Sequence, residues 1–248
     1  MSSAAPVSRE TAGPAPRLID GARAFGVALD PAAAAALVAL LDRMALEPQN
    51  LTAIDGLDEG IERHLLDSLV GLTLPEVAAA EAAVDIGSGA GFPGIALAIA
   101  RPGLDITLVE SERRKADWLA RASAEVPNLR VVADRSEHVA GTERERFPLA
   151  TMRALGPLPV CLELAAPLVA VGGTIVVWRG DDADPALERA AAEAAAELGL
   201  EASDPVAVTP FPGARRRLHA FRKAAPTPRR YPRRAGRAAK RPLGGWRG

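Results

Sequence analysis

Apolar positions recur three and four residues apart in two stretches near the start of the chain. Leu37, Leu40, Leu41 and Met44 share one face of a predicted helix over 32–46, and Ile61, Leu65, Leu66 and Leu69 share one face of a second over 59–72. Asp30-Pro31 supplies a side-chain cap and a first-turn proline for the first helix, and Glu47-Pro48-Gln49-Asn50 stops it. In the second, His64 and Asp67 lie three apart and share a neighbouring face. From about residue 82 the rhythm changes to short β-branched or apolar runs alternating with helical patterns. Strands are predicted at 82–86, 106–109, 129–132, 149–152 and 174–178, with 206–208 and 218–222 as a closing pair. Helices are predicted at 93–100, 112–124, 162–169 and 185–198. Such alternation predicts an α/β protein, a mostly parallel seven-stranded sheet with helices on both faces.

The pattern divides the chain into a flexible leader (1–16), an N-terminal helical extension (17–80), an α/β domain (81–223) and a tail (224–248) rich in proline and arginine. The tail has the composition of a segment that cannot bury a core, so it is expected to be extended until it meets a partner. Ending the predicted strands by Arg222 implies that removing the tail leaves the α/β domain's site intact.

Composition narrows the function classes. No apolar run approaches the ~18 residues of a membrane span, and the first residues lack the charged and apolar regions of a secretory signal. Cys161 is the single cysteine, which excludes internal disulfides and cysteine-rich metal sites and suits a reducing cytoplasm. The three histidines are too scattered for metal ligation, so no metal is expected, and the chain is expected to be a monomer. The net charge of −1 conceals an asymmetry: residues 215–247 hold 13 Lys and Arg and no acid, while the rest of the chain has a balance of −14. An acid-free basic end points to a polyanionic partner, with Tyr231 and Trp246 as candidates for stacking on unpaired bases.

The strongest local signal is Asp85-Ile86-Gly87-Ser88-Gly89-Ala90-Gly91-Phe92-Pro93-Gly94, between the first strand of the domain and a helix. Glycines here allow a sharp turn and close approach of a ligand to the backbone. Glu110 ends the next strand, 23 residues after Gly87, where a carboxylate can accept the hydroxyls of a ribose. A dinucleotide-binding G-x-G-x-x-G loop would need glycine at position 92, which is Phe92. The pattern D-x-G-x-G-x-G instead resembles S-adenosylmethionine-dependent methyltransferases, in which Asp85 would serve the positive aminoacyl end of the cofactor.

Further strings follow in order: Asn50-Leu51-Thr52, Arg63-His64-Leu65-Leu66-Asp67-Ser68, Glu110-Ser111 with Lys115, Arg135-Ser136-Glu137, Arg153-Ala154, Thr227-Pro228 and Tyr231-Pro232-Arg233-Arg234. With the glycine loop, this ordered set closely resembles the RsmG/GidB family over about residues 31–243. The resemblance implies a Rossmann-like class I methyltransferase that uses S-adenosyl-L-methionine to methylate N7 of a guanine in small-subunit (16S) ribosomal RNA. It implies cofactor contacts at Gly87, Phe92, Ser136, Glu137 and Arg153, to which the loop logic adds Asp85, Gly89 and Glu110. Two positions depart from the family pattern: Ser136 stands where alanine is frequent, and Arg179-Gly180 where Lys-Gly is frequent. Partners implied are small-subunit rRNA or the ribosomal subunit.

Guanine N7 carries a free lone pair, so methylating it needs no general base, and no Ser-His-Asp or paired-carboxylate constellation is expected. Arg153, at a strand end on the ligand-binding edge, is the catalytic candidate. His64 and Asp67 are either a pair at the mouth of the site or a structural surface pair. A non-catalytic RNA-binding or ribosome-assembly protein on the same fold is the alternative from another class.

Overall fold

The computed structural model describes residues 13–48, 51–54, 56–181 and 184–246. Two helices lead the chain, α1 (Pro14–Ala24) and α2 (Pro31–Ala45). Asp30 caps α2 as expected, its carboxylate accepting from the Ala32 and Ala33 N–H groups at 2.8 and 3.4 Å. A continuous helical run then changes pitch along its length. It comprises α3 (Leu57–Gly60), a π-helical stretch (Ile61–Leu66), α4 (Asp67–Leu69) and a 3-10 turn (Val70–Thr73). A short helix, α5 (Pro75–Ala79), leads into the domain. The first helix begins inside the segment expected to be a leader, because Leu18 and Ala22 find a core to pack into.

The domain alternates as the pattern predicts: β1 (Ala82–Ile86), α6 (Gly94–Ala100), β2 (Asp105–Val109), α7 (Arg113–Ala122), β3 (Leu129–Val132), α8 (Ser136–Thr142), β4 (Phe147–Arg153), α9 (Leu158–Ala165) and β5 (Val169–Gly180). It closes with α10 (Pro185–Leu198), β6 (Leu200–Ala202), β7 (Val206–Val208) and β8 (Arg216–Lys223). The strands form one sheet in the order β3-β2-β1-β4-β5-β8-β6, with β7 also on β8. Strands β1 to β5 pair in parallel and β8 returns antiparallel to β5. The sheet has eight strands, one more than expected. The extra one, β6, is a three-residue edge strand directly after the Gly199 helix cap and carries too little pattern to be read. The order reverses at β1 and β4, which opens a crevice at the carboxyl ends of the central strands.

Apolar side chains fill both sides of the sheet. One side packs against α1, α2, the helical run and α6; the other packs against α9 and α10. The second side also holds Tyr231 and Leu243, which corrects the expectation of an extended tail. Residues 224–246 fold back across α9 and α10, ending in α11 (Arg237–Lys240) and a 3-10 turn (Leu243–Gly245). What composition could not show is the set of body groups that receive the tail. Lys223 is fully buried and donates to Ala166 O, Val169 O, Glu145 and Thr227 Oγ1 at 2.6 to 3.2 Å. Arg144 donates to the carbonyls of Thr227 and Tyr231 at 2.7 and 2.8 Å. The buried carboxylate of Glu163 takes Arg233, and Glu197 accepts from the Tyr231 hydroxyl. Tyr231 is therefore 3% exposed and is not available to stack on a base.

Removing one partner of a buried ion pair strands the other, at a cost of about 3–5 kcal/mol. The fully buried Glu163 makes that case. Glu163→Ala should lower the melting temperature by several degrees and speed amide exchange over 227–245 at least tenfold. Unchanged exchange there would show that Glu163 does not hold the tail.

Candidate active site

The crevice at the strand ends contains a cavity of about 800 Å³, within the ordinary size range of small-molecule sites. Its floor is the loop between β1 and α6. Gly87, Gly89 and Gly91 have φ of 69°, 57° and 109°, a region open to glycine and strained for other residues. The loop is tied to β2 from both directions. Gly87 N–H donates to Val109 O at 2.8 Å, and the Glu110 carboxylate accepts from Gly89 N–H and Glu112 N–H at 2.9 and 2.7 Å. A side chain at Gly87 would meet Leu155 at 2.5 Å, and one at Gly94 would meet Leu108 at 2.4 Å and the Asp85 carboxylate at 2.8 Å.

Asp85 lies beneath this loop and does not line the cavity. Thr151 donates to its Oδ1 at 2.8 Å, while Oδ2 is buried with no hydrogen-bond partner among the described residues. Burial pushes its carboxyl up to about 6. Direct contact of Asp85 with a ligand in the cavity is thus an expectation this arrangement does not favour.

The opposite wall comes from the helical run. His64 stacks on Phe92 with ring centroids 4.5 Å apart and an 11° angle, and the Arg153 guanidinium lies 5.6 Å from the Phe92 centroid. Arg153 ends β4 and donates to Asp67 Oδ2 at 2.9 Å and Arg63 O at 3.0 Å, with His64 Nδ1 at 3.4 Å. Asp67 Oδ1 accepts from Arg216 Nε at 2.8 Å, and the Asp67 carbonyl accepts from Trp178 Nε1 at 2.9 Å. His64 and Asp67, which the sequence left open between two roles, therefore both face the cavity. The wider π-helical turn is the local feature that carries them there, and such turns are frequent at functional sites. Ala154, directly after Arg153 on the cavity wall, has φ of 56°, a left-handed conformation that a non-glycine residue adopts only under constraint.

Seven of the expected site residues divide between two places, with Asp85 below them. Gly87, Gly89, Phe92, Glu110 and Arg153 surround the main cavity, joined by Lys115 and Arg179. Ser136 and Glu137 sit instead in an adjoining cavity of about 130 Å³, together with Gly236, Ala238 and Ala239 of the tail. That contact places tail residues beside two of the expected site residues. Sequence reasoning missed Trp178 and Arg216. Arg216 stood within a basic run with no local sign separating it from its neighbours, and Trp178 read as an ordinary strand residue. Asn50, the first residue of one motif string, lies outside the described residues.

Burial, reinforced by the Arg153 guanidinium, pushes the His64 imidazole down to about 4, so it is neutral at pH 7. In the unfolded chain it titrates near 6.5. Between these values the unfolded chain binds more protons, so His64 makes stability fall as pH is lowered from 6.5 to 4. His219, also lowered to about 4 by burial, acts in the same sense, while the raised Asp85 opposes both below about 6. Urea denaturation across this interval should show the fall, and His64→Gln should flatten it. Equal slopes for the two proteins would mean that His64 is not held neutral.

A family model for rRNA small subunit methyltransferase G matches residues 32–210. The ribosomal RNA small subunit methyltransferase G of Symbiobacterium thermophilum is 37% identical over 239 residues, covering 91% of this chain and 96% of that protein. The protein of the same name from Chloroflexus aggregans is 40% identical over 236 residues, covering 91% and 97%. Among solved structures, the Methanococcus jannaschii fibrillarin pre-rRNA processing protein aligns with a TM-score of 0.51 at 15% identity, over 64% of this chain and 74% of that one. Fibrillarin from Aeropyrum pernix, in complex with natively bound S-adenosyl-L-methionine, gives 0.50 at 16% identity, over 63% and 73%. These two show a common α/β fold. The family match over most of the α/β domain, with relatives aligned over nearly their whole length, establishes that the chain belongs to the rRNA small subunit methyltransferase G family.

Proposed function

We propose that this protein transfers a methyl group from S-adenosyl-L-methionine to N7 of a guanine in small-subunit (16S) rRNA. The observation that carries the reading is the glycine cradle at the strand ends, in a chain of this family, with the Glu110 carboxylate fixed beside it. The residues present fit the cofactor. Gly87 and Gly94 lie where any side chain would collide with the loop's surroundings, which keeps the backbone open to a ligand. Glu110 is 7% exposed, and its accepted backbone hydrogen bonds leave lone pairs free for a ribose.

When bound, the cofactor supplies a methyl group on a sulfonium centre. Held at Gly87, Gly89 and Glu110, that group would supply a methyl open to displacement by the N7 lone pair, with the sulfur leaving as a neutral thioether. No proton moves, which matches a site without a general base. The protein's task is alignment, and proximity and orientation can supply ~7–11 kcal/mol of the barrier. Arg153 directs Nη1 to Asp67 and Arg63 and Nη2 to His64, so its role is to hold the Phe92 and His64 wall in place and to keep positive charge at the cavity edge.

The basic end of the chain supports an RNA partner, at fewer positions than its composition implies. Arg215, Arg216, Arg217, Arg222, Lys223, Arg230 and Arg233 are paired with carboxylates of the body. Arg229, Arg234, Arg237, Lys240 and Arg241 are exposed and have no carboxylate partner among the described residues. No helix among those residues is long and apolar enough to cross a membrane.

Incubating the protein with labelled cofactor and total bacterial RNA should place the label in 7-methylguanosine of small-subunit rRNA. Label in another nucleoside, or in protein alone, would contradict the reading. Each phosphate neutralised adds about 0.7–0.9 to the slope of log K against log salt. Replacing Arg234, Arg237, Lys240 and Arg241 with glutamine should therefore make the slope of RNA binding shallower by about 3. Parallel salt plots for the two proteins would show that these side chains do not meet the RNA backbone.

A further inference from the structure

The smaller cavity, of about 130 Å³, shares Gly87, Ser111 and Leu155 with the larger one, so the two are neighbouring compartments of one crevice. Val109, Leu155 and Val160 line it with apolar side chains, and Asp134, Ser136 and Glu137 with polar ones. A small compartment with this mixed lining fits a flat nitrogen heterocycle, whose faces are apolar and whose rim carries donors and acceptors. The remaining side is closed by Gly236, Ala238 and Ala239, which lie in the tail about a hundred residues beyond Glu137.

The closing segment is built to stay there. Gly236 has φ of 75°, the left-handed turn that reverses the chain into α11. Ala238 is thereby turned inward and is 4% exposed. Small residues at 236, 238 and 239 close the compartment without filling it. Arg233 pins both ends of the segment: it holds the buried Glu163, and its NH2 donates to Arg241 O at 2.8 Å. Glu137 holds the middle, its Oε1 accepting from Gly236 N–H at 2.9 Å.

We propose that residues 236–239 form one wall of the subsite for the adenine ring of the cofactor, and that Glu137 is a positioning residue that holds this wall. The proposal rests on the cofactor reading above and adds to it a segment beyond the 32–210 family match. The carboxylate following β3 acts on the ligand through the tail, and the tail is part of the cofactor site as well as a basic surface.

Calorimetry with S-adenosylhomocysteine and with adenosine tests this on five proteins: the full chain, the chain ending at Ala235, Glu137→Ala, Glu137→Gln and Glu137→Ala in the truncated chain. Truncation should weaken both compounds by the same factor, at least tenfold, because both carry the adenine that loses its wall. Glu137→Ala should weaken both several-fold, and Glu137→Gln, which keeps an acceptor for Gly236 N–H, should restore most of the affinity. Glu137→Ala made in the truncated chain should cost nothing further. A folded truncated chain that binds both compounds as tightly as the full chain overturns the proposal. So does a Glu137→Ala loss of equal size in both backgrounds, which would make Glu137 a direct ligand. If the truncated chain fails to fold, the alanine and glutamine variants of the full chain decide: equal loss in both overturns the positioning role. A full chain that binds neither compound refutes the cofactor reading itself, a result distinct from all of these.

Discussion

The site depends on one carboxylate. Asp67 offers one oxygen to Arg153, at the end of β4, and the other to Arg216, at the start of β8, while its backbone carbonyl accepts from Trp178 on β5. Three strands of the sheet are thus referred to a single residue of the N-terminal helical run. Two guanidinium groups this close would repel each other; the shared carboxylate neutralises part of their charge and fixes their distance. The close fit of the run to the sheet is visible at Gly71, where a Cβ would come within 2.2 Å of the Trp178 ring. The helical extension is therefore a wall of the active site, and its π-helical turn sets which side chains that wall presents.

The charge asymmetry acquires a different meaning once the chain is folded. An acidic body and a basic end look like a protein and its polyanion-seeking arm, but more than half of those cations are matched by the body's own carboxylates. The pairs at Glu163, Glu145 and Asp67 are the most buried ones, and each has further hydrogen bonds that meet the desolvation demand of a buried charge. The exposed pairs, such as Arg222 with Glu201, contribute little to stability and serve mainly to keep local charge balanced. What remains for an external anion is a cluster confined to the last turns of the chain.

Much of the fold was legible because its signals are local. The run Asp30-Pro31 and the spacing of Leu37, Leu40 and Leu41 act within one helix, and strands such as β1 and β2 are short, mostly buried and rich in β-branched residues where the pattern places them. The helix predicted at 162–169 lies at Leu158–Ala165, because Pro157 starts it early and the apolar residues after it belong to β5. The glycine loop and Glu110 were legible because backbone freedom and a strand-end acid are written in residue type. The tail was misread because its folding depends on long-range partners. Nothing near Thr227, Tyr231 or Arg233 announces that Arg144, Glu197 and Glu163 wait to receive them. Arg216 was missed for the same reason, since its partner lies 149 residues away.

Two ionisable groups lining the site, His64 and Lys115, are each held in a single charge state near neutrality. His64 is neutral because burial and Arg153 oppose its proton. Lys115 is held charged by Glu112, which raises its pKa further. The group nearest to neutrality, Asp85, is sealed beneath the loop with Thr151 on one oxygen. Acid–base catalysis needs a group poised between its two forms and within reach of the proton it moves. Here hydrogen bonds to Asp67 and Glu110 fix the positions of Arg153 and the glycine loop, and the His64 ring holds Phe92 by stacking. A site arranged to hold its shape rather than to exchange protons suits a displacement in which a lone pair replaces a sulfonium leaving group, since alignment is then the main thing left for the protein to provide.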